Sequence, residues 1–280
     1  MNLVKSIVLD VNQAIEDFFA YASTHPPVYI AFVLACLCII AGVFIAASNI
    51  RNRSQIRVMN PKGDLDTKQQ QAINVGAIMG AMFSEYCNSL QTKRLRETTT
   101  INGWGIYSSA DAWETTSKMI TGEYGQRNIF NQILGCLDND DDPLFDDDDT
   151  KYYAKNLKDS TPLLLKEHII SAPAELSETS MLAWDMGRLV NISRWSYDLG
   201  YITESAAWEA IDIAYGQVLE TYNNWQEFAK AYLIGRAMWG GPSKSEGIIP
   251  LKTVVRIAKR LLKYANSPWN LIPFRFLLYS

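Results

Sequence analysis

The chain contains one long stretch, from Thr24 to Ile50, without a single aspartate, glutamate, lysine or arginine. Its centre, residues 28–47, is twenty residues long. As a helix it would measure about 30 Å, which is the thickness of a bilayer's hydrocarbon core. Such a helix closes its backbone hydrogen bonds internally and buries no charged group in lipid. The sequence therefore predicts one N-terminal transmembrane helix over residues 26–50.

The charges on either side of this stretch predict its orientation. Arg51, Arg53 and Arg57 come directly after it, and Lys5, Asp10, Glu16 and Asp17 come before it. Because basic flanks stay in the cytoplasm, we expect the N-terminus outside and the later domain in the cytoplasm. Cleavage as a signal peptide, or as a lipoprotein at Cys36, fits less well, since the apolar run continues past that cysteine.

Residues 1–25 are expected to form a short segment of their own outside the membrane. Apolar residues recur in it at helical spacing until His25-Pro26-Pro27 breaks the pattern. This amphipathic segment either lies on the outer membrane surface or meets a partner, or it is a leader without a specific partner. Its acidic polar face favours the last interpretation, because interfacial helices usually carry basic residues.

The remaining chain, residues 58–280, has the length of one large globular domain. It holds 22 lysines and arginines against 27 aspartates and glutamates, which argues against nucleic-acid binding by the whole domain. Four cysteines without zinc spacing and two histidines argue against a disulfide framework, a metal site and a histidine-based triad. We therefore expect no metal, no cofactor and no nucleic-acid partner.

Helical periodicity runs through this domain, and no stretch alternates as a strand would, which predicts an all-α fold. One helix is expected from a cap at Asp66 or Thr67 to about Leu90. Within it, Gly76 and Gly80 would let another helix approach closely, and dimerisation in the membrane through these glycines is a weaker interpretation.

Two stretches of the domain repeat one pattern without gaps. GIYSSADAWE at residues 105–114 and GYITESAAWE at residues 200–209 share a glycine, a serine or threonine, and Ala-Trp-Glu. Each predicts a helix start capped by Ser108 or Thr203, with the tryptophan on the core side. The repetition suggests a duplicated helical unit, against the plainer interpretation of two good helix starts.

Residues 138–149 read DNDDDPLFDDDD, with eight aspartates. Such a run predicts a solvated acidic loop. A calcium loop is the alternative, but the run lacks the glycine at its sixth position and the glutamate at its twelfth that an EF-hand needs.

Tryptophans and charged residues are densest between residues 176 and 240. They are candidates for a ligand pocket, for catalysis, or for buried ion pairs that hold a helical core together, and the last interpretation is favoured. The candidate residues are Trp184, Asp185, Arg188, Arg194, Asp198, Glu209, Arg236 and Trp239.

The segment after Pro250 combines an apolar stripe with lysines and arginines over residues 251–265. This pattern predicts a basic amphipathic helix. The helix either lies on an anionic membrane surface or packs its stripe against the domain and leaves its cations in water, which is the favoured interpretation.

Several pieces of this chain resemble the bacterial domain family DUF1266, which includes uncharacterised YbeR- and YbeU-like proteins. They are WDMGRLVNISRWSYDLGYIT from residue 184, the Ala-Trp-Glu helix, NWQEFAKAYLIGRAMW from residue 224, and Ser267-Pro268-Trp269. The resemblance covers about residues 65–275 and implies a helical bacterial domain. It implies no activity, and the acidic run and the membrane anchor look like additions to the family pattern.

These observations predict a single-pass protein of the bacterial inner membrane whose cytoplasmic domain mediates protein interaction, with an immunity or envelope-stress role in view. The alternative is an enzyme or small-ligand binder at the cytoplasmic membrane face. Without a recognised nucleophile and base, phosphate loop or metal cluster, the first is favoured. The sequence does not decide whether the chain associates with itself into a homo-oligomer.

Overall fold

The structure, a computed structural model, describes residues 13, 15–93, 101–124, 127–136, 148–242 and 249–275. The chain divides into two compact units, Met1–Asn52 and Arg53–Ser280. Much of the predicted amphipathic segment, residues 1–12 and 14, lies outside the described residues, and so does the acidic run from 138 to 147. Asp148 and Asp149 are described, and they open a helix, where carboxylates interact favourably with the helix dipole.

The first unit is helical from residue 15 to residue 24, and the helix is interrupted at His25, as expected. A second helix, α1, runs from Pro26 to Ile56, and its first residue is a proline, whose missing N–H is not needed there. The side chains of residues 28, 29, 41 and 44–55 lie outside the described part. Over the residues that are described, no helix is both long enough and apolar enough to cross a membrane.

The second unit is built from helices, and its described residues contain no strand, only an isolated bridge between Val58 and Tyr86. The predicted all-α class is therefore confirmed. The helices are α2 (Thr67–Asn74), α3 (Ala77–Phe83), α4 (Ser109–Thr121), α5 (Phe130–Cys136), α6 (Asp148–Lys166), α7 (Leu182–Asp198), α8 (Glu204–Thr221), α9 (Trp225–Gly240), α10 (Leu251–Lys263) and α11 (Pro268–Leu271).

Helix α7 is the centre of this unit. It packs against α3, α4, α8 and α9, and every residue from Leu182 to Ser196 is buried. Two glycines allow the close approach of α9: a Cβ on Gly235 would lie 2.5 Å from the Cβ of Trp184, and one on Gly187 would lie 2.6 Å from the Tyr232 ring. Such distances are below any normal contact, so larger residues would push the helices apart.

The prediction of a single helix from Asp66 or Thr67 to about Leu90 is wrong, because two shorter helices, α2 and α3, occupy this segment. Asp66 does cap α2 as expected, with Gln69 completing the capping box. The interruption lies where α7 approaches: Asn191 donates from Nδ2 to the carbonyl of Gly76 at 2.8 Å. A side chain at position 76 would collide with Asn191, so the predicted role of this glycine in close helix approach is confirmed.

The repeated helix start is confirmed at both places. Ser108 accepts a hydrogen bond from the amide of Asp111, and Thr203 accepts one from the amide of Ala206. The glycines before them, Gly105 and Gly200, both have φ of +72°, a conformation that glycine adopts without strain. Helices α4 and α8 both pack on α7. Duplication of a larger helical unit stays a prediction.

The prediction that both tryptophans of the repeated pattern lie on the core side is wrong for one of them. Trp208 is partly buried against the core, whereas Trp113 is 52% exposed. The preceding alanines, Ala112 and Ala207, are the fully buried members of the two copies. The shared pattern therefore places a small residue in the core and leaves the exposure of the next residue to differ between the two copies.

The basic amphipathic helix is present as α10. Its apolar stripe, which includes Val254, Ala258 and Leu261, is buried, and α10 packs against α3, α9 and α11. The structure thus agrees with the interpretation in which the stripe packs on the domain. The stripe is not available for insertion into lipid.

Candidate functional site

Helix α7 brings an unusual number of charged and polar side chains into the core. Asp185, Arg188, Asn191 and Arg194 are each no more than 2% exposed and recur every three residues along the helix. A buried charge is costly unless other groups pair with it and satisfy its hydrogen bonds. The partners of these side chains therefore define what this region can do.

Asp185 is the acidic centre of the first half of α7. Its Oδ1 accepts from Nη2 of Arg188 on the same helix, and its Oδ2 accepts from Nε of Arg127 at 2.9 Å. Arg127 is 21% exposed at its side chain, whereas Arg188 is fully buried. The i, i+3 pair predicted from the sequence is confirmed, and it is extended by an arginine 58 residues away in the chain.

The guanidinium of Arg188 lies among aromatic rings. Its Cζ is 4.7 Å from the ring centroid of Trp184, 5.3 Å from Tyr124 and 5.5 Å from Trp104. These distances are within the range of cation–π attraction, which is stronger in a desolvated site. Among the described residues, however, Nε and Nη1 of Arg188 have no hydrogen-bond partner, so part of the cation's hydrogen-bonding capacity is unused.

Helix α9 adds a second buried cation to this region. Arg236 donates from Nη2 to the carbonyl of Ile249 at 2.6 Å, and its Cζ lies 5.3 Å from the Trp239 ring. Burial lowers the pKa of the Arg236 guanidinium, because a low-dielectric environment disfavours the charged form. Trp239 in turn lies 5.5 Å from Trp184 and 6.2 Å from Trp104, ring to ring.

These residues form one continuous group, which we call the arginine–tryptophan cluster: Trp104, Asp185, Trp184, Arg188, Arg236 and Trp239. Tyr232 borders it, with its ring 5.1 Å from that of Trp184. The Tyr232 hydroxyl has no hydrogen-bond partner in the described part of the chain, and burial raises its pKa. The predicted site residues 184, 185, 188, 236 and 239 are therefore brought together.

Arg194 and Asp198 belong to a separate group at the other end of α7. The Arg194 guanidinium donates to carbonyls of the segment 86–91: Nη2 to Tyr86 at 2.6 Å, Ser89 at 3.0 Å and Gln91 at 3.2 Å, and Nε to Leu90 at 3.1 Å. One buried side chain thereby satisfies four backbone carbonyls that have no helix of their own. We call this group, with Asp198, Thr92 and Glu85, the loop clamp.

The carboxylates of the loop clamp hold the amides that follow. Asp198 accepts from the Thr92 amide at 2.7 Å and from its hydroxyl. Glu85 accepts from the Lys93 amide at 2.7 Å and from Nε1 of Trp195 at 3.4 Å. Burial raises the pKa of both carboxyls, and the nearby Arg194 guanidinium opposes that rise. These groups hold residues 84–93 on α7 and are already occupied by backbone partners.

Glu209 joins neither group, so of its two predicted roles the buried ion pair is wrong. It is exposed on α8, whereas Ala207 on the same helix is fully buried. Glu209 instead lines a surface groove of about 190 Å³ between α4 and α8, which also includes Trp113, Ile120, Ile202, Ala206 and Ile213. Apolar side chains predominate in this groove, and Thr116, Ser117 and the Glu209 carboxylate also line it.

Several members of these groups were not predicted from the sequence, namely Trp104, Tyr124, Arg127, Glu85 and Thr92. Each lies far along the chain from its partner on α7, so no local spacing connects them. The only signal was composition: Trp104 stands in an Asn-Gly-Trp-Gly segment just before the first repeated helix start.

The chemistry of both buried groups is that of binding and support. No three His, Cys, Asp or Glu side chains in the described ranges are placed to hold a metal ion. Neither group contains a histidine or a cysteine beside a hydroxyl nucleophile, and their carboxylates accept hydrogen bonds from arginines and backbone amides. The expected lack of a cofactor stays a prediction.

The family of the chain follows from a comparison with family models. A model described as a protein of unknown function, DUF1266, matches residues 101–274, which is more than half of the chain. The chain belongs to the DUF1266 family. No curated protein and no solved structure matches it.

The DUF1266 match includes the arginine–tryptophan cluster and the groove between α4 and α8 in full. Helices α1, α2 and α3 lie before it. The loop clamp is divided, since Arg194 and Asp198 fall inside the DUF1266 region and their partners at Glu85 and Thr92 fall outside.

Proposed function

We propose that this DUF1266 protein is anchored in the bacterial inner membrane by α1 and that its cytoplasmic helical domain binds a partner protein. The observation that carries the proposal is the distribution of exposed apolar side chains. In the described part of the chain, most of the exposed large apolar residues lie between residues 15 and 43. On the helical domain, exposed apolar side chains line the groove between α4 and α8.

The anchor is supported by the exposure of α1. Side chains that point in different directions around this helix are all exposed, among them Ile30 at 57%, Leu34 at 56%, Ile39 at 66% and Val43 at 63%. An apolar helix that exposes side chains on several sides needs an apolar surrounding, which a bilayer provides. The uncharged sequence and the three arginines that follow it support a single span with the domain inside.

Partner binding is supported by the groove between α4 and α8. Trp113 is 52% exposed and Ile213 is 36% exposed, and large exposed aromatic and aliphatic residues in a concave surface are typical of protein interfaces. The Glu209 carboxylate in this groove suits a partner that inserts an apolar side chain beside a basic one. The buried charged groups support binding over catalysis, because their hydrogen bonds serve the core.

Crosslinking from inside the groove in intact membranes tests this proposal. A photo-crosslinking amino acid at Trp113 is expected to give a discrete adduct in membranes that retain the chain after alkaline carbonate washing. The same amino acid at Tyr152, which is 49% exposed and lies on α6, is the matched control and is expected to give none. The side chain at either position is half in solvent, so neither substitution should disturb folding.

Two outcomes of that experiment count against the proposal, and they are separate. Release of the chain by carbonate would contradict the membrane anchor. Equal adducts from both positions, or none from position 113, would contradict binding in the groove.

A small-ligand binder is the second candidate, and one observation favours it. Arg188 is fully buried and has two nitrogens without hydrogen-bond partners in the described residues. An anionic group would satisfy them, with Trp104 and Trp184 beside it. This candidate predicts that the chain, purified in mild detergent, retains a small anion detectable by native mass spectrometry. If the mass of the purified chain shows no bound ligand, the small-ligand interpretation is wrong.

A further inference from the structure

Helix α10 carries a strongly basic outer face. Lys252, Arg256, Lys259, Arg260 and Lys263 line a shallow surface groove of about 520 Å³, together with Pro250, Thr253, Tyr264 and one carboxylate, Glu167. The chain as a whole has a net charge of −4. A face with five cations and one anion is therefore a local reversal of the protein's overall charge.

Most of these cations have no carboxylate partner in the part of the chain that the structure describes. Glu167 pairs with Lys259, with Oε2 and Nζ 2.7 Å apart. The hydrogen bond from Lys259, with Lys252 and Lys166 nearby, lowers the pKa of the Glu167 carboxyl. No carboxylate in the described part of the chain is paired with Lys252, Arg256, Arg260 or Lys263.

The spacing of the cations fits an extended anionic surface. Positions 252 and 263 are eleven residues apart, which on a helix is about 16 Å. That distance is wider than one phosphate group, so several anionic groups are needed to occupy the face. The apolar stripe of α10 is buried in the domain, so contact must be electrostatic, without insertion of the helix into lipid.

We propose that the basic face of α10 docks on the anionic phospholipid headgroups of the membrane. The proposal rests on the proposed anchor, which would keep the domain close to the bilayer and so give even a weak contact a high effective concentration. Lipid is favoured over nucleic acid because single-stranded nucleic acids need aromatic stacking platforms, and the only aromatic side chain lining this groove, Tyr264, is half-buried.

Lysine acetylation of the full-length chain in lipid nanodiscs tests the proposal. Discs of phosphatidylcholine alone are compared with discs that also contain phosphatidylglycerol, and the rate at each lysine is read by mass spectrometry. In the anionic discs, Lys252 and Lys263 are expected to react at about one third of their rate in the neutral discs, or more slowly still. High salt should remove the difference, because it screens exposed charges.

Two controls are built into the same chain. Lys151 is exposed near the start of α6, sixteen residues before Glu167 and so about 24 Å away along a helix, and its rate should not change with lipid charge. The variant Arg256→Gln removes one exposed cation and should weaken protection of Lys252 and Lys263, whereas Lys151→Gln should not.

The outcomes separate this proposal from the proposed anchor. If the chain does not remain in the discs, the anchor is wrong, and the same measurement with anionic vesicles still tests the basic face. Equal rates at Lys252 and Lys263 in neutral and anionic lipid would overturn the proposal. Protection by an RNA oligonucleotide but not by anionic lipid would overturn it in favour of a nucleic-acid partner.

Discussion

Replacing Arg188 with methionine is expected to lower the free energy of unfolding by about 3–5 kcal/mol. Methionine fills much of the same space, so the loss comes from charge and not from a cavity. Asp185, which is 1% exposed, would keep only its contact with Arg127. The cation–π contacts with Trp104 and Trp184 would also disappear. Chemical denaturation of the full-length chain in detergent, followed by tryptophan fluorescence, measures the change.

An exposed arginine gives the matched control for this substitution. Arg256→Met on α10 should change the unfolding free energy by about 0.5 kcal/mol or less, because its side chain is in solvent. The double variant Arg188→Met with Asp185→Leu should be more stable than Arg188→Met alone, since it removes the charge left behind. An Arg188→Met chain as stable as the Arg256→Met chain would contradict the interpretation of Asp185 and Arg188 as a buried pair that supports the core.

Replacing Arg194 with methionine is expected to cost about 3 kcal/mol or more. Four carbonyls between Tyr86 and Gln91 would lose their shared donor, and Glu85 and Asp198 would lose the nearest positive charge. The loss should be concentrated in the loop clamp. Hydrogen exchange at the Thr92 and Lys93 amides, which are bound by these carboxylates, should therefore accelerate more than exchange in α9.

The deficit of the Arg194→Met chain should depend on pH, with a definite sign. Burial already raises the pKa of Glu85 and Asp198, and loss of the guanidinium removes the charge that opposes that rise. A carboxyl with a raised folded pKa destabilises the fold when ionised. This penalty is fully present above the folded pKa and is lost as pH falls towards the unfolded value of about 4. A deficit equal at pH 8 and pH 5 would contradict this electrostatic role.

Local hydrogen bonding made part of the fold readable from the sequence. Ser108, Thr203 and Asp66 begin helices because a side-chain oxygen accepts a hydrogen bond from the amide three residues later, and that geometry involves neighbours only. The pair of Asp185 and Arg188 follows from helical spacing in the same way. These predictions are confirmed because every atom that decides them lies within one turn.

The wrong predictions depend on distant parts of the chain. The helix from Asp66 ends at Asn74, and at this interruption Asn191, more than a hundred residues later, donates to the carbonyl of Gly76. The sequence placed Trp113 on the core side of its helix and Glu209 among the candidate buried residues. In the structure, both side chains line the groove between α4 and α8. Sequence spacing on one helix does not specify which neighbouring helix approaches it.

By itself, the sequence determined the all-helical class, the starts of several helices, the uncharged stretch before residue 51 and membership of DUF1266, because these depend on composition and short-range pattern. Only the tertiary structure decided that Asp185 bridges Arg188 and Arg127, that Arg194 holds the segment 86–91, and that the apolar stripe of α10 faces inward. The physical reason is that a buried charge is stable only where its partners meet it in space, and helix packing brings those partners from distant parts of the chain.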